Sequence, residues 1–239
     1  MPYSTIRAKV REMFSEVLIN LAQIESFEPK NPTEVTPPFV KIQRGLYYVH
    51  LYSVLERTVN DVVEHTILSI KSNNIRNKHF ESVLNVISLN PKMQAFKSCG
   101  YKDYINKSIA VFRCIDSDDC YELHNTIFSK NLQNIWFKTI QELLSAFGIA
   151  PIVIDPRIRY TVDEITQKRN AVAHGRETPL VVGQTHRANI LRLKTNEIQL
   201  VANIIVDLFE DYIKVSVHGI GTARIKSTQD QESIFGNRL

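Results

Sequence analysis

The sequence predicts an all-α fold. Three observations carry that expectation: long segments in which apolar residues return every three or four positions, prolines gathered into the connectors between them, and a glycine placed directly after the most distinctive helical segment. At 239 residues and 44% hydrophobic composition, the chain can bury a real core. Residues 1–218 are read as a single helical domain and 219–239, polar and carrying Gly219 and Gly221, as a mobile tail.

The elements follow in order. Ser4 to Phe27 sets Ile6, Val10, Met13, Phe14, Val17, Leu18 and Leu21 on one face and predicts the first helix. Pro29, Pro32, Pro37 and Pro38 then interrupt, since proline lacks an N–H and restricts the residue before it. From about Ile42 to Ser72 a second helix carries Leu46, Val49, Leu51, Val54, Leu55, Val59, Val62, Val63, Ile67 and Ile70, long enough to cross the whole domain. Its many valines lower helix propensity slightly, but the periodicity outweighs that.

The middle predicts shorter helices over Lys78 to Ile87, Tyr101 to Phe112, Ser117 to Phe128, and Leu132 to Phe147, the last ending at Gly148. Ile149 to Tyr160, with Pro151 and Pro156, reads as an irregular crossing. Thr161 and Glu164 have capping-box spacing and predict a helix from Thr161 to His174, closed by Gly175 in the left-handed conformation. Thr178 to Lys194 reads as a loop or short hairpin. Thr195 to His218, with Ile198, Val201, Ile205, Leu208 and Phe209, predicts the final long helix.

Composition narrows the setting. No apolar run of about 18 residues exists to span a bilayer, and Met1 to Arg11 carries charges where a secretion signal needs an apolar stretch. The expectation is a cytoplasmic protein with no membrane partner. Cys99, Cys114 and Cys120 are odd in number and lack the spacing of a disulfide scaffold, which suits reduced thiols. A formal charge of +4 favours an anionic partner.

One stretch carries an unusual combination: Lys168-Arg169-Asn170-Ala171-Val172-Ala173-His174-Gly175. At roughly 100° per residue, Asn170 and His174 lie about 40° apart, while Arg169 and His174 lie about 140° apart. One helix therefore offers a single imidazole and a guanidinium that must swing toward it, and a facing helix would complete a site. Those residue types suit RNA scission by its own 2′-hydroxyl, in which protons move at two oxygens and charge builds on phosphate. Histidine titrates near neutrality and suits proton transfer; arginine stays charged and clamps phosphate. His174 falls in the last helical turn, where the negative end of the macrodipole favours a cation.

The Arg-Asn-x-x-x-His pattern from Arg169 to His174, followed by Gly175, resembles the signature of the HEPN superfamily. The Asp163 to Gly175 flanks resemble bacterial HEPN subfamilies linked to defence and toxin systems, the MAE_28990/MAE_18760-like and RiboL-PSP types among them. Tyr52-Ser53-Val54-Leu55-Glu56 resembles the acidic position those subfamilies carry upstream. The resemblance covers about Ile42 to Ser72 and Thr161 to Tyr212. It implies a HEPN-type antiparallel helical bundle with additional helices inserted between the long second helix and the motif helix. It also implies metal-independent RNA cleavage leaving 2′,3′-cyclic phosphate and 5′-hydroxyl ends, in a cleft between two symmetry-related motif helices. Carried over residue by residue, Arg169, Asn170 and His174 are catalytic and Glu56 is an orienting carboxylate. Lys168 and Arg176, with Arg157, Arg159, Arg187 and Arg192 around them, would bind the RNA backbone. The partners implied are RNA and a second copy docking through residues 161–176, and the defence setting leaves room for a cognate inhibitor or sensor protein.

Blander readings stand beside these. Arg169 and His174 can be a surface arginine and a capping histidine, and Glu56, near Arg57 and Asn60, can be a structural ion-pair partner. Cys114, Cys120 and His124 invite a zinc reading, but no paired cysteines accompany them, and neither metal nor cofactor is expected. Tyr47, Tyr48 and Tyr52 read as packing. Against the ribonuclease stand a catalytically silent HEPN domain that binds RNA, nucleotide or protein, and an unrelated helical adaptor.

Overall fold

One long helix organises the molecule, and three long helices and one short one pack against it. The computed structural model describes residues 3–31, 33–73, 85–115, 117–119, 128 and 131–218, and among these the only regular structure is helical. The helices are α1 (Tyr3–Phe27), α2 (Pro38–Ser72), α3 (Asn85–Ser88), α4 (Asn90–Lys97), α5 (Tyr104–Ile115), α6 (Phe137–Ala146), α7 (Pro156–Ala173), α8 (Pro179–Val182) and α9 (Ala188–His218). Single 3-10 turns sit at Tyr101–Asp103 and Asn131–Gln133.

α2 is the axis. It begins at Pro38, four residues before the expected Ile42, because a proline in the first turn gives up only an N–H that has no helical partner anyway. Its buried residues run from Val40 to Ile70 on the sides that meet its neighbours, while Leu46, Ser53, Arg57, Glu64 and Leu68 form an exposed stripe. Buried Thr58 and Thr66 satisfy their hydroxyls on the Val54 and Val62 carbonyls one turn back.

α1 runs antiparallel to α2 and to α9. Tyr3 at its start bonds Thr66 near the end of α2 at 2.8 Å, and Arg7 pairs with Asp207 and Glu210 late in α9. At the other end Glu25 pairs with Arg192, and Glu28 gathers three groups: Arg44 at 2.6 Å, Arg187 at 3.3 Å, and the Ala188 N–H at 2.8 Å. Glu28 thus caps α9 from a distant part of the chain. One hydrophobic cluster runs from Tyr3 to Ile213.

The structure corrects several boundaries: α6 starts at Phe137 rather than Leu132, with Asn131–Gln133 a 3-10 turn, and α5 runs over Tyr104–Ile115 rather than Tyr101 to Phe112. α7 starts at Pro156 rather than Thr161: Asp155 is the N-cap, accepting the Arg157 N–H at 2.8 Å. Pro156 starts this helix rather than breaking it, and Thr161 and Glu164 form no capping box. Thr161 lies buried within α7 and donates to Glu197 at 2.6 Å. α9 starts at Ala188, seven residues before the expected Thr195, and the 178–194 stretch holds the short α8 instead of a hairpin. The expected stops at Gly148 and Gly175 hold. Both glycines are left-handed (φ 72° and 66°), and the Ile149 and Arg176 N–H groups reach back to Leu144 and Ala171 at 2.9 Å, closing Schellman caps. The expected Lys78–Ile87 and Ser117–Phe128 helices fall largely, and the 219–239 tail wholly, outside the described residues.

α8 lies flush on α2. A β-carbon on Gly45 would sit 1.9 Å from the Pro179 carbonyl oxygen, and one on Gly183 would sit 1.7 Å from that of Lys41. These two glycines let backbone meet backbone and return the chain from α7 across the face of α2.

Candidate active site

The end of α7 meets the middle of α2. Arg169 points at α2, where its guanidinium carbon stands 4.4 Å from the centre of the Tyr52 ring. One terminal nitrogen donates to Asn170 Oδ1 at 2.8 Å, and the other lies 3.5 Å from Glu56 Oε2. The fork is therefore held by a neutral amide, a carboxylate and a ring face, with about a fifth of its surface still exposed.

Tyr52 is itself fixed. Its hydroxyl accepts the Ile135 N–H at 3.0 Å and stands 3.3 Å from the Gln133 carbonyl and 3.5 Å from Glu56 Oε1. Thr166 on α7 donates to the Ile135 carbonyl at 2.8 Å, and Asp163 accepts the Phe137 N–H at 2.8 Å, so the approach to α6 is pinned to α2 and α7 together. Burial pushes the Glu56 carboxyl above its ordinary value, against the opposing pull of Arg169 and the Tyr52 hydroxyl.

His174 is the C-cap of α7. Its backbone N–H bonds the Asn170 carbonyl at 3.1 Å, and its ring is exposed, with no hydrogen-bond partner among the described residues. The structure thus brings together Arg169, Asn170 and Glu56, and sets His174 one turn beyond them at the helix end. Arg176 is exposed on the far side of Gly175.

The RiboL-PSP-HEPN family model matches residues 14–213, from within α1 almost to the end of α9. The chain belongs to the RiboL-PSP-HEPN family. No curated protein and no solved structure matches it. Every residue of the candidate site, Tyr52 and Glu56 on α2 and Arg169 to His174 at the end of α7, lies inside the match. The all-α bundle and its insertion between α2 and α7 are those expected of a HEPN domain. No described helix is long and apolar enough to cross a membrane.

Other basic residues named from the HEPN sequence are engaged elsewhere. Lys168 turns inward: its ammonium donates to Thr185 at 3.0 Å, lies 3.8 Å from Glu164 and stands 5.1 Å from the Tyr48 ring centre. Arg157 is paired with Asp155, Arg187 with Glu28, and Arg192 with Glu25, while Arg159 lies over the Phe137 ring. Lys168 belongs to a polar cluster that sequence reasoning missed. Buried Glu164 meets Lys194 at 2.5 Å and His186 at 3.6 Å, and His186 bonds the Tyr48 hydroxyl at 2.7 Å. Burial lowers both Lys168 and His186 from their ordinary values, with Glu164 opposing, and raises Tyr48. The lone sign of this cluster in the sequence was Glu164, mistaken for half of a capping box. Cys120 and His124, weighed for zinc, lie outside the described residues, and among those described no group of three or more His, Cys, Asp or Glu stands at metal-binding spacing.

Proposed function

We propose that this HEPN chain is a metal-independent endoribonuclease that cleaves by 2′-hydroxyl attack. The observation that carries the reading is the Arg169 fork, steadied by Glu56, Asn170 and Tyr52 one turn before an exposed, unengaged His174. Two of the five guanidinium N–H groups are used by Asn170 and Glu56, which leaves the others for a phosphate. In the reaction the 2′-oxygen forms a bond to phosphorus while the bond to the 5′-oxygen breaks. Arg169 neutralises the charge building on the phosphate oxygens, and His174 hands its proton to the departing 5′-oxygen. The products are a 2′,3′-cyclic phosphate and a 5′-hydroxyl.

A single His174 leaves the 2′-hydroxyl proton without a base, and a second copy of the chain supplies one. Tyr160, Gln167 and His174 recur at seven-residue spacing along α7 and all are exposed, which gives that helix a stripe on which a symmetric partner can dock. Residues 1–218 act as one domain in this reading, and the flanks of the Arg169–His174 motif favour a toxin or antiviral role in the cytoplasm, under a cognate inhibitor or sensor.

The test is incubation with a mixed RNA pool in excess EDTA, beside a His174→Ala control, with end-group analysis. Cleavage that survives the chelator, leaves cyclic phosphate ends and falls by about 100-fold or more in the variant is the expected result. Absence of cleavage by folded, dimeric protein would instead favour a silent binding domain.

A further inference from the structure

The segment between α3 and α6 carries a surface that the cleavage chemistry does not use. From Asn90 to Ile115 the chain has five cations, Lys92, Lys97, Lys102, Lys107 and Arg113, against one carboxylate, Asp103. All five are exposed, and none is ion-paired among the described residues. Aromatic rings are interleaved with them: Tyr101 is 96% exposed, Phe112 69% and Tyr104 53%. The Tyr104 ring leans on Phe96 with centres 4.9 Å apart. α5 holds to the core through Val111, Cys114 and Ile115 and turns Ile105, Ile109 and Phe112 outward along one stripe.

Tyr101 and Phe112 are left largely uncovered among the described residues, so their occupant must be sought in the chemistry around them. A protein-binding patch gathers apolar residues at a centre depleted of lysine. Here lysines recur every five residues from Lys92 to Lys107, between the rings. That mixture suits a single strand of nucleic acid, in which each phosphate needs a cation and each unpaired base offers a face for stacking. We propose that α4, the Tyr101–Asp103 turn and α5 form a stacking platform for single-stranded RNA, separate from the Arg169 site and holding the strand to be cut. The choice of RNA rests on the ribonuclease reading; the platform itself rests on these rings and charges.

The experiment uses the full-length chain carrying His174→Ala, in EDTA, and reads fluorescence anisotropy of a labelled mixed-sequence RNA strand roughly 20 nucleotides long, with a duplex of equal length beside it. Tyr101→Ala with Phe112→Ala is expected to weaken strand binding by about tenfold or more with the salt dependence unchanged, since stacking releases no counterions. Lys102→Gln with Lys107→Gln is expected to weaken it too, and to flatten the slope of log K against log salt by about 1.4, or about 0.7 for each phosphate no longer neutralised. The ring substitutions should leave duplex binding unchanged. All four side chains are exposed, so the variants should fold, which circular dichroism checks. The proposal is overturned if the parent does not bind the strand, or if both double variants bind it as the parent does. It is overturned equally if the ring substitutions change only self-association, which would make the surface a contact between copies. Because binding is read without cleavage, a chain that cuts no RNA can still pass, and a chain that cuts through Arg169 can still fail.

Discussion

Arg169 is held by three kinds of contact, and each responds to a different substitution. Lysine would keep the charge but lose the planar fork and the stacking on Tyr52, so Arg169→Lys should cut RNA about 10- to 100-fold more slowly while melting near the parent temperature. Alanine acts on Glu56 instead. That carboxyl already sits above its ordinary value because of burial, and losing Arg169 pushes it higher. An acid raised in the folded state holds its proton better there, so its stability contribution is present below the unfolded value and lost as pH rises through the folded one. Arg169→Ala should therefore unfold more easily at neutral pH, by about 1 kcal/mol given that a quarter of the Glu56 side chain meets water. The deficit should vanish below about pH 4, near the unfolded value, and Glu56→Gln should relieve it at neutral pH. Urea titrations of the single and double variants at two pH values check this.

Among the elements, α8 is the most exacting in its fit. A methyl group at Gly45 or Gly183 meets a backbone carbonyl, which cannot swing aside as a side chain does. Gly45→Ala and Gly183→Ala should each lose on the order of 2 to 4 kcal/mol in denaturant unfolding, while Gly100→Ala, with nothing within 4 Å, should lose little. The same contrast between local and distant causes explains what was legible in the sequence. α1 and most of α2 were legible because their buried positions repeat at helical spacing, and the ends at Gly148 and Gly175 were legible because a left-handed cap is local chemistry. The starts of α7 and α9 were not. Pro156 can break a helix or open one, and only Asp155 bonding the Arg157 N–H decides which. The first turns of α9 carry Arg192 and Lys194, whose partners Glu25 and Glu164 lie far away in sequence.

At the level of the whole molecule, two histidines link stability to pH. Burial is the chief cause lowering both His65, against the Tyr3 ring, and His186, beside Tyr48. A base depressed by folding contributes stability above its ordinary value near 6.5, and that contribution is lost as pH falls through the lower folded-state value. Melting temperature should decline from pH 7 toward pH 5, before most carboxylates titrate, and His65→Gln with His186→Gln should flatten that decline. The candidate site shows the same division of what a sequence discloses. Arg169, Asn170, His174 and even Glu56 were legible as a pattern, whereas the ring of Tyr52 over Arg169 and the inward turn of Lys168 exist only after α2 and α7 have packed. Time enters through Glu28. The N–H it caps belongs to Ala188, 160 residues later, so on the ribosome α1 must wait on the order of ten to thirty seconds for the helix it covers. Through that interval α1 can find α2 but not yet α9, and apolar surface left open in this way is what exposes a nascent chain to aggregation.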